Sequence, residues 1–340
     1  MKTHYYLTVF ICLLMGTSGA FAKVIRVNNQ HPTNATENTF NTLQEAHNFA
    51  AAGDTLMIEP SIDVYASVEI TKRLVIIGSG YFLDENLETQ STPLQSLVRA
   101  ITINPGADGT ILTGLVFSSL GSGDGPVIKA NSVLITRCYL RYGIFIYSSL
   151  TSLKVNQNFF PSSTLRMGSS GDSFTDLEFN NNIVVGSLAS GFASASIQRT
   201  FSSVQHNIFF GSVQITTTSF RSNIIASNTN ASQFIINSNN IQNNLTLGNQ
   251  LTGNGNQLYN ANQLFVGEEG NSTDGQYRLK ADSPYLTAGY QNAQPGVFGG
   301  PTPYLLSGLP SIPVIYELSA ETYGSQESGL NIQVKARTNQ

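Results

Sequence analysis

The sequence predicts an all-β protein, a parallel β-helix solenoid, and three observations lead to this fold class. Charged residues make up 11% of the 340 residues, against about 25% in an average soluble protein, so helices with charged wet faces are not favoured. Asparagine, a poor helix former and a good turn former, occurs 32 times. A short motif also recurs along the chain.

The net charge of −4 excludes a nucleic-acid binder that relies on a basic face.

The motif consists of a large apolar residue, two mostly polar residues, Asn and two mostly apolar residues. Two early copies have Leu115 or Cys138 in place of Asn, and five later copies carry Asn158, Asn182, Asn207, Asn223 and Asn244. Successive copies lie 16 to 25 residues apart, with a mean of 21.5. This step is too short for paired helices or propeller blades, and the leucine-studded motif of leucine-rich repeats is absent. It suits one turn of a parallel β-helix, in which loops vary in length while strands stay stacked.

Stacking would bring the asparagines of the motif into one column. Equivalent residues on neighbouring parallel strands lie about 4.8 Å apart, so their amides can hydrogen-bond along the stack. We therefore expect an asparagine ladder, with structural rather than ligand-binding asparagines. Cys138 occupies the same position of the motif, and we expect it to be a buried structural thiol, as free cysteines usually are.

The first 22 residues have the features of a signal peptide. Lys2 precedes an apolar run from Tyr6 to Met15, and Ala20-Phe-Ala22 forms a small-x-small cleavage site. No other segment approaches the roughly 18 apolar residues of a transmembrane helix. We expect residues 1–22 to direct export, and the mature chain to be periplasmic, bound to the cell surface or extracellular, without a transmembrane segment.

Residues 23–60 are predicted to cover the N-terminal end of a solenoid that spans residues 23–300. Val24–Val27 has the composition of a strand. Thr42 and Glu45 have the spacing of a capping box at the start of a helix, which we expect to run to about Ala52. A helix here would protect the open strand edges of the first turn.

Residues 301–340 are predicted to form a linker and a C-terminal β-hairpin. The Gly- and Pro-rich stretch 295–303 is typical of a linker. Beyond it, two alternating segments each present an apolar face, with Ile312, Val314, Tyr316 and Leu318 in the first and Leu330, Ile332, Val334 and Ala336 in the second. This hairpin either closes the C-terminal end of the solenoid or forms a small separate module.

The chain resembles the right-handed parallel β-helix, or pectin-lyase-like, proteins that Bacteroidetes-type bacteria export. Thr42-Leu-Gln-Glu-Ala46 with Ala52-Gly-Asp-Thr55 is similar to the N-terminal cap of that superfamily, and the Asn motif is similar to its turns. The stretch from Gln276 to Gly289 resembles the phrase that often ends such helices. The resemblance implies a right-handed solenoid over about residues 23–300. It selects no reaction, because the superfamily contains lyases, hydrolases, epimerases, adhesins and proteins without known activity.

The resemblance also implies that an enzyme of this fold would act on an acidic polysaccharide. Lyases of the superfamily use acidic Ca²⁺ ligands with an Arg or Lys base, and hydrolases use paired carboxylates. Between Val98 and Val266 the chain has five acidic residues, of which Asp176 and Glu178 form the one candidate cluster. The candidate catalytic residues are Asp176, Glu178, Lys154 and Arg221. Lys154 lies one turn before Glu178 and Arg221 two turns after it, and either of these two cations would hold a uronate. The alternative is a cross-strand ion pair between Lys154 and Glu178 on a solvated face.

An outward-facing polar column precedes the ladder position by two residues. It contains Thr136, Asn156, Asn180, Gln205, Arg221 and Gln242. Asn156, Asn180, Gln205 and Gln242 are candidate partners for the hydroxyl groups of an extended glycan, although any solvated β-helix face would look similar. With three histidines and one cysteine in the mature chain, we expect no metal site and no cofactor, and Ca²⁺ enters only in the lyase alternative.

We therefore expect a secreted β-helix protein without catalytic activity that binds or presents at a polysaccharide or cell surface. The sparse acids and the lack of a second converging carboxylate support this expectation. Two alternatives stay open. One is a polysaccharide lyase or glycoside hydrolase acting on an acidic polysaccharide. The other is an adhesin or assembly subunit that uses the hairpin as a docking strand, and the sequence leaves the oligomeric state undecided.

Overall fold

The structure is a computed structural model that describes residues 22–117, 123–162, 164–189, 197–227, 234–325 and 329–338. The described chain is predominantly β, with long parallel sheets, which confirms the expected all-β class at that level. The signal peptide predicted for residues 1–22 lies outside the described residues, except for its last residue.

Sheet 1 is the largest sheet and has fifteen strands among the described residues. They are β1 (Val24–Val27), β2 (Thr39–Phe40), β3 (Thr55–Ile58), β5 (Val75–Ile77), β7 (Ile111–Thr113), β10 (Leu134–Thr136), β13 (Ser149–Thr151), β14 (Lys154–Asn156), β17 (Ser173–Asn180), β19 (Leu188–Ala189), β20 (Arg199–Gln205), β22 (Val213–Thr217), β23 (Phe220–Arg221), β25 (Phe234–Asn237) and β26 (Ile241–Gln242). Along the path from β3 to β20, the strands lie side by side in the order in which they occur in the chain.

Sheets 2 and 3 hold the other parallel strands. Sheet 2 consists of β8 (Val116–Phe117), β11 (Tyr139–Leu140), β15 (Phe159–Phe160), β18 (Ile183–Val184), β21 (Ile208–Phe209), β24 (Ile224–Ile225), β27 (Leu245–Thr246) and β28 (Gln257–Leu258). Sheet 3 consists of β4 (Val68–Ile70), β6 (Ala100–Ile103), β9 (Gly125–Ile128), β12 (Ile144–Ile146) and β16 (Leu165–Met167). The chain visits the sheets in turn: β10 is followed by β11 and β12, and then β13 and β14 return to sheet 1, where β14 pairs with β10.

The single α-helix of the described residues, α1 (Leu43–Phe49), begins as the sequence predicts. Thr42 Oγ1 accepts a hydrogen bond from the Glu45 amide at 3.2 Å, and Glu45 Oε2 accepts one from the Thr42 amide at 3.3 Å. The helix ends at Phe49, earlier than expected, because the Ala51 amide donates to the carboxylate of Asp54 at 2.8 Å instead of continuing the helix. Short 3₁₀ helices are Ala35–Glu37, Ala261–Gln263, Gly275–Tyr277, Tyr290–Asn292 and Leu306–Gly308.

The apolar core has two parts. The first lies between the inward faces of the three sheets and includes Leu112, Phe160 and Ile146. The second lies on the other face of sheet 2 and includes Phe159, Ile183, Ile208, Ile224 and Leu245. Because neighbouring strand residues point to opposite faces, each adjacent apolar pair of the motif, such as Phe159 and Phe160, supplies one residue to each part.

A C-terminal segment, which we call the strap (residues 264–312), covers the second core. From Tyr290 onward it runs against the order of the strands in sheet 1: the Tyr290 amide bonds to Ser222 Oγ, the side chain of Asn181 to the Val297 carbonyl, and that of Arg137 to the Leu309 carbonyl. Val297, Tyr304 and Leu309 are buried. The stretch 295–303, expected to be a linker, is therefore largely packed against sheet 2, because the outward apolar residues of that sheet need a cover.

The predicted C-terminal hairpin is present, and its two strands, β29 (Pro313–Ala320) and β30 (Ile332–Thr338), pair antiparallel. A bulge between Ile315 and Glu317 shifts the register, so the predicted face of Val314, Tyr316 and Leu318 is divided. Val314 lies opposite Arg337, whereas Ile315, Leu318 and Ala320 lie opposite Ala336, Val334 and Ile332. Ile315, Leu318, Ile332 and Val334 are 48% to 58% exposed.

Candidate functional site

The asparagine ladder fixes the geometry of the outward face beside it. Asn182 Oδ1 accepts from Asn158 Nδ2, and Asn182 Nδ2 donates to Asn207 Oδ1, both at 3.1 Å. The same bonds continue through Asn223 and Asn244, and all five predicted ladder asparagines are fully buried. The expected ladder is confirmed by these bonds, which extend one step further than the motif predicts, to Asn256, at 2.8 Å from Asn244.

Cys138 lies at the N-terminal end of this ladder. Its amide donates to Asn158 Oδ1 at 3.0 Å, and its side chain is fully buried. Burial raises the pKa of the thiol to about 12, so the protonated form prevails at neutral pH. These observations agree with the expected structural thiol and leave it without nucleophilic character.

The polar column keeps the predicted register across neighbouring strands of sheet 1. Thr136 pairs with Asn156, Asn156 with Asn180, Asn180 with Gln205, Gln205 with Arg221, and Arg221 with Gln242. All six residues are half-buried. The candidate glycan-binding residues therefore lie in one row, in which Arg221 separates Gln205 from Gln242.

Part of this row is engaged in hydrogen bonds within the protein. Asn156 Oδ1 accepts from the Asn180 amide at 3.1 Å, and Asn180 Oδ1 accepts from the Gln205 amide at 2.9 Å. Gln205 Nε2 donates to Ser219 Oγ at 3.3 Å. These bonds fix the orientation of the side chains, and they reduce the number of polar atoms that a ligand can reach at Asn156 and Asn180.

The candidate catalytic residues do not converge. Lys154 and Glu178 lie side by side on β14 and β17, and Lys154 Nζ is 2.9 Å from Glu178 Oε1. This is the ion pair that the alternative interpretation predicts. With side chains 50% and 32% exposed, it contributes under about 1 kcal/mol to stability.

Asp176 and Arg221 lie apart from this pair. The backbone of Asp176 is left-handed, with φ of 56°, so strand β17 bends there, and Asp176 Oδ2 accepts from Ser152 Oγ at 2.9 Å. Arg221 pairs with Gln205, in the column of Asn180 rather than that of Glu178. Two carboxylates facing a shared bond, as glycoside hydrolysis needs, are not found at this place.

Arg221 instead contacts the strap. Its guanidinium carbon lies 4.2 Å from the centre of the Tyr290 ring, a stacking geometry that stabilises a cation. Arg221 takes part in none of the salt bridges between described residues, and its buried Nε has no hydrogen-bond partner among them.

A recess of about 540 Å³ opens between Arg221 and the strap. We call it the Arg221 recess, and its lining includes Gln205, His206, Arg221, Tyr290, Gln291 and Gln294. His206 Nδ1 lies 3.1 Å from the Gln294 carbonyl oxygen. Burial, and secondarily the charge of Arg221, lowers the pKa of His206, so Arg221 is the one cation of the lining residues at neutral pH.

The described residues offer no evident metal centre and no membrane helix. No group of three His, Cys, Asp or Glu side chains among them is arranged to hold a metal ion. No helix in the described part of the chain is long and apolar enough to cross a membrane.

Sequence reasoning finds Gln205 and Arg221 but misses Tyr290 and Gln294, which lie about 70 residues further along the chain. One sequence signal points to their segment. In the motif both residues after Asn are apolar, although only one of them can face the inner core. A covering segment is therefore required, and the strap supplies it.

Comparison of the chain with family models, curated proteins and solved structures finds no match.

Proposed function

We propose that the three sheets form a right-handed parallel β-helix of the pectin-lyase-like type, with α1 covering its N-terminal end. The succession of strands through sheets 1, 2 and 3 and the asparagine ladder support this architecture. Parallel strands joined by a crossover connection are almost always right-handed. We further propose that residues 1–22 direct export to the periplasm, the cell surface or the medium.

We propose that the exported protein binds polysaccharide without catalysis. The observation that carries this proposal is the polar column, which runs in register across six neighbouring strands beside a recess. Its residues repeat about every 4.8 Å, which is comparable with the length of one sugar unit in an extended chain. Regularly spaced amides and hydroxyls can bond successive sugar hydroxyls.

The state of the acidic residues supports binding rather than catalysis. Glu178 is paired with Lys154, and Asp176 accepts a hydrogen bond from Ser152 at a bend of its strand. A general acid or base must reach the scissile bond and work with a suitable partner. The bend at Asp176 separates the two carboxylates, so neither serves as the partner of the other. A lyase or hydrolase with its site at Glu178 is the alternative.

The test uses residues 23–340 and a panel of neutral and acidic polysaccharides in affinity electrophoresis. We expect retardation by at least one polymer, which the double variant Gln205→Ala/Gln242→Ala weakens. Gln257→Ala, on the exposed edge strand of sheet 2, is the matched control and should bind like the parent protein. Absence of retardation by every polymer would contradict the binding function.

The same preparations test the enzymatic alternative. Absorbance at 235 nm reports β-elimination, and reducing ends report hydrolysis, each with and without Ca²⁺. We expect neither signal. If a signal appears, the protein is an enzyme, and activity that persists in Glu178→Gln excludes Glu178 from its site.

A second candidate function is assembly with a partner through the C-terminal hairpin. The specific observation in its favour is the apolar face of Ile315, Leu318, Ile332 and Val334, which is about half exposed. Exposed apolar faces of this kind mark interaction sites in soluble proteins. Leu318→Ser/Val334→Ser should release the protein from the surface of its own cell, whereas Ser319→Ala/Gln333→Ala, a cross-strand pair on the opposite face, should not.

A further inference from the structure

The C-terminal end of the stack of strands is open in the described part of the chain. Strands β25, β26 and β28 each pair with one strand of the preceding turn, and no described strand lies on their other side. A strand edge of this kind presents unpaired backbone N–H and C=O groups, which can pair with another chain. We propose that a second copy of this chain covers this end, so that two molecules join across a two-fold axis with their β25 strands antiparallel.

The apolar core is incompletely covered at this end. In sheet 2, Phe209 and Ile225 face the first core and are fully buried, whereas Leu258, at the same position of the last strand, is 56% exposed. In sheet 1, Ile215 is fully buried, and Ile236, its partner on β25, is partly exposed. Each earlier turn is covered by the turn that follows it, and the last turn lacks such a cover among the described residues.

The N-terminal end of the stack, by contrast, is covered within the chain. Strand β2 pairs with β1 on the side away from β3, and Leu43 and Ala46 of α1 are buried in the first core. At the C-terminal end, the loop that follows β27 supplies Leu251, which packs against the same core but leaves Leu258 and Ile236 exposed in part. The open end of one molecule therefore meets the open end of a second copy rather than its covered N-terminal end. A two-fold contact of this kind gives a closed dimer instead of a filament.

The composition of this end suits contact with an identical surface. From Ser222 to Gly267, a stretch of 46 residues that includes β25, β26 and β28, the sequence contains no charged residue and no proline, whereas 11% of the whole chain is charged. Charged side chains and prolines are the usual devices that keep a strand edge from pairing. Across a two-fold axis, each charge near the axis would also face its own like. The end therefore lacks both protection against pairing and repulsion between two copies.

Ile235 is the apolar residue of β25 that faces away from the core. It lies beside Gln214 of β22, which in turn lies beside Ala189 of β19, so a large apolar side chain replaces small or polar ones at the last turn. Its exposed fraction is 43%. Because β25 has four residues, antiparallel pairing of two copies brings Ile235 close to its counterpart, within reach of a cross-strand contact.

The experiment measures the mass of residues 23–340 by sedimentation velocity over a range of protein concentrations. We expect a monomer–dimer equilibrium without larger species. Ile235→Lys and Ile235→Glu, each alone, place like charges across the axis and should raise the dissociation constant of the dimer at least about tenfold. An equimolar mixture of the two variants should regain a mixed dimer, detected by native mass spectrometry, and this recovery also shows that both variants fold.

The control separates this end from the C-terminal hairpin. Ile315→Lys, at a hairpin residue of similar exposure, 48%, should dimerise like the parent protein. A parent protein that stays monomeric up to its highest soluble concentration overturns the inference, and so does a dimer that both charged variants of Ile235 leave intact. If Ile315→Lys abolishes the dimer and Ile235→Lys does not, the hairpin is the contact and the open end is not.

Discussion

The residue before each of the first four ladder asparagines has a left-handed backbone. Gln157, Asn181, His206 and Ser222 have φ between 54° and 60°, a conformation that costs about 1 kcal/mol for a residue with a side chain. The turn directs each of these side chains to the strap, where Asn181 Nδ2 donates to the Val297 and Gly299 carbonyls, both at 2.8 Å. At this scale the polar positions of the motif have distinct roles: one faces solvent, one holds the strap, and one forms the ladder.

Asn182→Ala tests the ladder. The substitution removes a buried amide that bonds to Asn158, to the Val155 carbonyl and to Asn207. It leaves buried donors and acceptors unpaired, so the free energy of unfolding should fall by about 3 kcal/mol. Urea denaturation measures this change. Asn262→Ala, at an exposed asparagine, should change it by less than about 0.5 kcal/mol, and a loss below about 1 kcal/mol at Asn182 would contradict a supporting ladder.

Two buried histidines predict a pH dependence of stability. Burial lowers the pKa of both His206 and His47, whereas in the unfolded chain a histidine titrates near its ordinary value of about 6.5. The unfolded state therefore binds more protons below about pH 6.5, and stability falls as the pH falls through this range. His206→Asn should make the dependence between pH 7 and 5 shallower, and His31→Asn, at an exposed position, should not. An identical dependence in parent and His206→Asn would refute the contribution of His206.

The strap is the element that shields the outer apolar face of sheet 2 from solvent. Beside the loop that follows β5, the N-terminal and C-terminal parts of the strap are joined by the buried carboxylate of Asp274, which accepts hydrogen bonds from Asn86, Ser272, Tyr304 and the Ser307 amide. Tyr304 also bonds to Tyr81 at 2.6 Å between hydroxyl oxygens, and burial raises the pKa of both tyrosines. This network joins the strap to the loop that follows β5.

Asp274→Asn tests the attachment of the strap. The new amide donor would face donors that now bond to the carboxylate, so the free energy of unfolding should fall by about 3 kcal/mol. Limited proteolysis should then cut within the strap before the rest of the chain. Asp282→Asn, at an exposed acid of the same strap, is the control, and a strap as resistant as in the parent protein would refute the role of Asp274.

The elements differ in how far the sequence predicts them. The ladder, the inward positions and the two hairpin strands follow from local patterns, because each depends on periodicity within a few residues. The strap does not, since its Gly and Pro residues are typical of a linker and its partners lie about 70 or more residues away in the chain. The pairing of Lys154 with Glu178 is predicted as the alternative to catalysis, and the contact of Arg221 with Tyr290 is not predicted at all.

At the scale of the whole molecule, strand register is independent of the length of chain between strands. Successive ladder asparagines are separated by 25 residues between Asn182 and Asn207, by 16 between Asn207 and Asn223, and by 12 between Asn244 and Asn256. The ladder bonds nevertheless stay between 2.8 and 3.1 Å. The loops therefore absorb the differences in length, while the parallel strands and the ladder keep their register.

Two insertions of the same sequence test this independence. Gly-Ser-Gly-Ser after Pro105 lengthens an exposed turn between β6 and β7, and because loop closure depends weakly on length, the free energy of unfolding should fall by less than about 1 kcal/mol. The same insertion after Asn182 separates the ladder from β18, so neither the ladder nor the apolar pair Ile183 and Val184 can keep its register. That variant should lose cooperative thermal unfolding, measured by circular dichroism. Equal effects of the two insertions would show that loop length, not the register of strand and ladder, limits the stability of the stack.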